Sequence, residues 1–285
     1  MPGRWQSPPP LPPPRGILRA PRPDGLLDAR RLVPSPQLAP YIHHYWSIRW
    51  SLRSPFKGES LPHPAAQILR FATSAERSAV VLGVRSGALA RTLTGDGETF
   101  GVSFRPVMFQ ALLGASLETI TDRIVPLEEV LGTSARRWAR AIDAARAPEE
   151  KVALTEALLT PLLTTPSPRL ERIRDLVERV AFDRSILRVD DIVRVSDLDT
   201  RALQRAFRMY VGVSPKTVIQ RYRLHEAAIQ LRAPHPPPLA ELAASLGYAD
   251  QAHFGRDFKR TVGQTPRAFG LEVTQRRPPW SRPKV

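Results

Sequence analysis

The 285-residue chain contains no cysteine. That absence excludes disulfide scaffolds, thiolate nucleophiles and Cys-ligated zinc together, and it fits a reducing compartment. Long apolar runs are missing as well: the longest, such as SAVVLGV near residue 80, fall far short of the roughly 20 residues that a membrane-spanning helix needs. No membrane helix and no membrane partner are expected. The N-terminus also lacks the apolar core of a secretory signal, because Pro8 to Pro14 interrupt it, so the chain reads as cytoplasmic. Lysine is scarce, five among 42 basic residues, and the formal charge of +15 therefore rests mainly on guanidinium groups. Their planar donor fork suits phosphates and guanine edges, which points to a polyanionic partner.

Proline is abundant and unevenly placed, with 12 of its 30 copies and six arginines in residues 1–40. Such a stretch buries too little apolar area to offset the entropy of ordering, so 1–40 is expected to be a disordered tail or the product of a translation start placed too early. From 41 to about 105 the pattern has period two in places. HHYWSIRW puts His44, Trp46, Ile48 and Trp50 on one strand face, with Tyr45, Ser47 and Arg49 on the other. Strands are expected at 66–72, 78–84 and 99–105, with GDG at 95–97 as a tight turn. Helices follow: a short one near Met108 to Leu113, then SARRWARAIDAARA and EEKVALTEALLTPLL. TTPSP at 164–168 is the clearest linker. The expected fold class is α+β: a small N-terminal antiparallel β-sheet or barrel with helices over 41–164, an all-α domain over 165–272, and a basic flexible tail over 273–285.

The most specific feature is an internal duplication. FRMYVGVSP at 207–215 and FKRTVGQTP at 258–266 agree in Phe, a basic residue, Val-Gly and a hydroxyl residue before Pro, at an offset of 51. The same offset pairs Asp199 with Asp250, Leu203 with Phe254 and Arg205 with Arg256. Each pair has a structural job. The aspartates sit where a carboxylate would cap the first N–H groups of a helix. Leu203 and Phe207, like Phe254 and Phe258, are spaced i, i+4 and make one apolar stripe per copy. Gly212 and Gly263 end the helix, and Pro215 and Pro266 prevent its continuation. A short apolar helix precedes each, VDDIVRVS at 189–196 and LAELAASLG at 239–247, so each copy reads as helix, tight turn, helix over about 189–213 and 239–264. Between them SPKTVIQRYRLHEAAIQLRA is expected to form one linker helix. Twenty residues would span about 30 Å, near the roughly 34 Å repeat of major-groove faces on one side of DNA.

The segment from about 170 to 270 resembles the DNA-binding domain of AraC-type bacterial transcription regulators. GYADQAHFGRDFKRTVGQTP matches that family's second-unit signature, and LQRAFRMYVGVSPKTVIQRYRLHEA its first unit and linker helix. Val193 stands where the family usually has Ala, as at Ala243. The N-terminal part, through YIHHYWSIRW, LPHP and FGVSFRP, is similar in arrangement to an uncharacterised sensor domain found ahead of some of these domains, with Val107 where Gly is expected. The resemblance implies double-stranded DNA as partner and control through a sensor or dimerisation domain. It leaves open contact with RNA polymerase, homodimerisation, the sign of regulation and a small-molecule effector of unknown identity. No cofactor and no enzymatic activity are expected.

On the first capped helix Arg201, Gln204, Arg205 and Arg208 form one polar face opposite the apolar stripe. On the second, Gln251, Ala252, Gly255, Arg256 and Lys259 are the corresponding positions, with His253 at the edge, and Gly255 would let the backbone come close. Arg and Gln can read guanine and adenine edges, Ala252 can meet a thymine methyl, and Lys216 and Arg260 suit phosphates. The plain alternative is a solvated helix face. A rival reading takes Asp250, His253 and Asp257, which share one helix face, as the centre of a metal-dependent hydrolase. The duplication argues against it, because the first copy has Asp199, Ala202 and Ala206 there, and no phosphate loop, nucleophile elbow or HExxH motif accompanies it. A third reading is a ligand-binding protein that binds DNA only non-specifically. Trp46 and Trp50 read as core rather than a ligand pocket. His43, His44 and His63 lack the second HxH and the Glu of a cupin-like metal site.

Overall fold

A computed structural model describes residues 17–19, 24–60, 63–85, 87, 89–163 and 165–274. Seven strands form one antiparallel sheet: β1 (Ile17–Arg19), β2 (Gly25–Leu32), β3 (Ile42–Ser60), β4 (Gln67–Thr73), β5 (Arg77–Leu82), β6 (Leu89–Phe104) and β7 (Ile124–Pro126). Their order is β1-β3-β6-β4-β5-β7, with β2 also paired to β3. The Pro- and Arg-rich stretch read as a tail is thus corrected in part. Residues 25–32 pair with β3 from Leu32↔Tyr45 to Gly25↔Leu52, and Leu38 is buried. The long β3 edge supplies backbone partners that local composition could not reveal. Residues 1–16 lie outside the described residues, as do 275–285 of the expected basic tail.

Two further strand expectations change. β3 runs 19 residues, far beyond HHYWSIRW, and β6 runs straight through GDG. Gly95 has φ 55° and sits where the β3–β6 register slips between Leu52 and Phe56, so GDG contains a bulge and not a chain reversal. The continued β3 offers the hydrogen-bonding edge that keeps the glycines in the ladder. Nor does β3 bury a single face. Tyr45 lies in the main core and donates to Glu156 Oε1 at 3.3 Å, while Trp50, Leu52, Phe56, Phe71 and Leu93 build a second core. Gly97 and Gly101 leave room for the indoles: a Cβ there would fall 2.3 Å from Trp50 and 2.1 Å from Trp46.

Helices close the Tyr45 side: α1 (Gln110–Leu113), the 3-10 turn Leu117–Ile120, α2 (Leu127–Leu131), α3 (Thr133–Ala144) and α4 (Pro148–Leu159). Buried Arg70 of β4 forks onto Asp143 of α3 at 2.9 and 2.6 Å, and Lys151 of α4 reaches Glu98 of β6 at 2.8 Å. Before α1, Val107 has φ 76° and is buried. The turn retains the left-handed conformation that favours glycine even though a β-branched residue occupies it.

The C-terminal part is helical: α5 (Pro168–Phe182), α6 (Val189–Arg194), α7 (Thr200–Val211), α8 (Pro215–Gln230), α9 (Leu239–Ser245), α10 (Gln251–Val262) and α11 (Pro266–Thr274). The α+β class is therefore observed, with the sheet first and the two helix-turn-helix pairs after it. The linker helix α8 is 16 residues long, about 24 Å at 1.5 Å per residue, and shorter than the 214–233 span expected. Pro234 and Pro236 to Pro238 follow it, and a residue preceding proline avoids the α region. The apolar interior divides unevenly. One core runs from the sheet through α5 and α7 to Val218 and Ile219 of α8, and another runs from Leu224 of α8 to Phe269. α8 belongs to both.

Candidate nucleic-acid interface

The two copies are built alike at the atomic level. Asp199 accepts from the Ala202 N–H at 2.7 Å, and Asp250 from the His253 N–H at 2.6 Å, so α7 and α10 open on equivalent caps. Gly212 and Gly263 close them at φ 82° and 84°, a conformation that costs a Cβ-bearing residue about 1–2 kcal/mol. Leu203, Phe207, Phe254 and Phe258 are all fully buried. With one stripe buried, the opposite face must be open. Arg201, Gln204, Arg205 and Arg208 of α7 are exposed, as are Gln251, Ala252, His253, Arg256 and Lys259 of α10 and Lys216 at the start of α8.

Their charges are differently committed. Among the described residues, Arg201, Arg205, Arg256 and Lys259 make no side-chain hydrogen bond or ion pair, so Arg205 and Arg256 are not held by an internal acid. Arg208 lies 3.9 Å from Glu118 in an exposed pair. Arg260, expected on a phosphate, donates to Asp257 Oδ1 at 2.5 Å while its side chain stays 68% exposed.

Asp257 is the residue whose role sequence reasoning missed. It is buried and takes a second hydrogen bond, 2.9 Å, from Gln220 Nε2 of α8. The carboxylate thus fixes the rotation of α10 against the linker helix, a task that apolar Ala206 performs by packing in the first copy. Its i+3 spacing from Phe254 placed it on the inward stripe, and that signal was present in the sequence. His253 Nε2 stands 3.7 Å from the same carboxylate, and its ring meets Tyr248 edge-on at 5.2 Å. The Asp250, His253 and Asp257 set is therefore dispersed: Asp250 caps the helix and Asp257 faces Gln220 and Arg260. Among the described residues no group of three His, Asp or Glu side chains is arranged to hold a metal ion. Val193 is partly buried against the first core, where Ala243 in the second copy is fully buried.

The sheet and its helices grip the first unit and the linker helix. Thr121 Oγ1 donates to the Gly212 carbonyl at 2.7 Å, Ser116 Oγ to the Arg208 carbonyl at 3.3 Å, and Arg221 of α8 to the Arg85 carbonyl. A Cβ on Gly212 would fall 2.7 Å from Thr121 Oγ1, whereas one on Gly263 meets nothing within 4 Å. Of these partners only the glycine was legible in the sequence, because the donors lie some 90 residues away.

Two capped helices with open cationic faces, each the second member of a helix-turn-helix and joined through one helix, define a double helix-turn-helix protein. Residues 192–271 match a family model described as a helix-turn-helix domain, and residues 30–126 match a domain of unknown function, DUF6597. The chain is 34% identical over 80 residues to the regulatory protein SoxS of Escherichia coli, covering 28% of this chain and 74% of SoxS. It is 31% identical over 88 residues to the HTH-type transcriptional regulator MtrA of Neisseria gonorrhoeae, 31% of this chain and 29% of MtrA. It is 34% identical over 90 residues to the F1 operon positive regulatory protein of Yersinia pestis, 32% of this chain and 30% of that protein. The chain thus spans about a third of the length of the latter two relatives. A crystal structure of ToxT from Vibrio cholerae aligns over 88% of this chain and 98% of its own at 10% identity, with a TM-score of 0.38. The chain belongs to the AraC-type family of helix-turn-helix transcription regulators.

Proposed function

We propose that this protein is a sequence-specific DNA-binding transcription regulator that places α7 and α10 in adjacent major grooves. The observation carrying the reading is the pair of identically capped helices whose buried stripes leave Arg201, Gln204 and Arg205 on one, and Gln251, Arg256 and Lys259 on the other, open to a partner. Arg256, Arg205 and Gln204 read base edges, while Lys216 and Lys259 bind phosphates. Ala252 and half-buried Gly255 let the second helix approach closely. The part spanning 41–164 acts as the sensor or dimerisation domain and 165–272 as the DNA-binding domain, in the cytoplasm. The relatives named above are regulators, and the Asp257 hydrogen bonds speak against a hydrolytic centre on α10.

Selection of the full chain on random duplexes, followed by footprinting of the winner, tests this. A recovered motif with two half-sites about one helical turn apart is expected, with affinity falling steeply with salt. Recovery of no motif, or equal protection of unrelated duplexes, overturns sequence-specific recognition.

A further inference from the structure

Four of the six histidines meet where the sheet touches the linker helix: His43 and His44 of β3, His63 of the following loop and His225 of α8. The rings form a connected chain, with centroids 5.0 Å apart for His43 and His44, 6.5 Å for His43 and His63, and 6.0 Å for His63 and His225. Tyr222 of α8 stands edge-on to His63 at 6.0 Å. The hydrogen bonds define one protonation state. Arg31 Nη2 and His43 Nδ1 both point at His44 Nδ1, at 3.1 and 2.9 Å. An arginine can only donate, so this nitrogen accepts and carries no proton, and His43 donates to it.

We propose that this cluster is a proton-operated latch: uptake of protons by His43, His44, His63 and His225 loosens the N-terminal part from linker helix α8 as the medium becomes mildly acidic. The charged surroundings favour release. Arg31 of β2 faces His44, and Arg221 of α8, buried, faces His63. Asp122, which acts on Arg221, and Tyr222 of α8 are further titratable neighbours. A proton added to any ring joins fixed positive charges in a half-buried space and, at His44 Nδ1, breaks two hydrogen bonds. Burial, then Arg31 and His43, pushes His44 down to about 2. Burial, then His225, His43, Arg221 and His44, lowers His63 well below its ordinary value.

The direction follows from linkage. A histidine whose pKa is lowered by docking takes up its proton on release, so docking is undisturbed above the ordinary value of about 6.5 and weakens below it. Each participating histidine reduces the docking constant about tenfold per pH unit over that range. Because the N-terminal part also holds Arg208 and Gly212, through Ser116 and Thr121, the latch determines how firmly the first reading helix is held, while the second has its own core.

The absence of native cysteine makes the test direct. In the full chain, exposed Leu26 and Ile229 are replaced by Cys, labelled with a donor–acceptor dye pair, and followed by energy transfer from pH 7.5 to 5.5. The expected result is a transfer change that starts below about pH 6.5 and is steeper than a one-proton titration. The His63→Gln and His225→Gln double variant should make it clearly shallower, and His235→Gln, outside the cluster, should leave it intact. Histidine ring NMR of the unsubstituted chain provides a readout independent of whether the double variant folds. The four cluster rings should titrate together with the transition. Unchanged transfer across the range, the same change in the double variant, independent titration of the four cluster rings, or tightly bound stoichiometric zinc in purified protein would each overturn the latch.

Discussion

Replacing Asp257 by Ala is the sharpest perturbation of the proposed reader, because it removes none of the side chains named as candidate DNA contacts. The carboxylate accepts from Gln220 Nε2 at 2.9 Å and Arg260 Nη2 at 2.5 Å. A hydrogen bond to a charged acceptor contributes about 1.5–3 kcal/mol. The Arg260 arm adds little, since its guanidinium is 68% exposed and solvent screening leaves exposed pairs below about 1 kcal/mol. The expected loss is therefore about 2–3 kcal/mol. It falls on the second core, which is separate from the first. Urea denaturation followed by a probe in α10 should show an early transition for that unit, and affinity for the selected duplex should drop more than tenfold. Asp257→Asn, which keeps an acceptor for Gln220, should lie in between, and Arg260→Ala should cost less than about 1 kcal/mol of stability. If Asp257→Ala stays within about 0.5 kcal/mol of the parent and binds DNA equally well, the carboxylate does not position α10 and the reasoning fails.

Other tests address the remaining links. Gly263→Ala should cost about 1–2 kcal/mol by denaturation, from the left-handed backbone alone. Gly212→Ala should cost about 1–3 kcal/mol more because its Cβ meets Thr121 and Leu117; equal losses would show that the N-terminal part does not touch this cap in solution. Gln204→Ala and Arg256→Ala should each relax preference at particular base pairs by about 1–3 kcal/mol in a binding selection, whereas Lys259→Ala should weaken all sequences alike. Asp143, its carboxyl shielded by burial yet held below the usual range by hydrogen bonds and charges from Arg70 and Arg77, stabilises the sheet–helix contact at neutral pH. That contribution is present above about pH 3.8 and is lost as pH falls through the lowered value, so Asp143→Asn should flatten the acid limb of a stability–pH profile.

The chain's own repetition made much of the helix-turn-helix part legible. A cap, a stripe, a glycine and a proline are local devices, each satisfied within a few residues, and two copies 51 residues apart separate the shared structural roles from the variable ones. That is why Asp250 could be read as a cap and Arg256 as exposed before any fold was known. Asp257 shows the limit of that reading. Its helical spacing marked it as inward-facing, but its partner Gln220 is 37 residues away, and only packing brings an amide to that carboxylate.

The N-terminal part depended far more on tertiary structure. Period two announced strands, but not that β3 would extend to Ser60 and recruit Gly25–Leu32 from a proline-rich stretch, or that GDG would bulge within a ladder. Strand length and edge pairing are settled by whichever backbone lies alongside, which no local window contains. The histidine cluster is the extreme case: His43 and His44 are neighbours in sequence, His63 follows a long strand, and His225 belongs to the linker helix. The sequence by itself determined the two capped helices and the sign of the charge they carry. The tertiary structure decided what grips the first of them, because hydrogen bonds from Ser116 and Thr121 and the rings around His63 meet only when the sheet packs against α7 and α8.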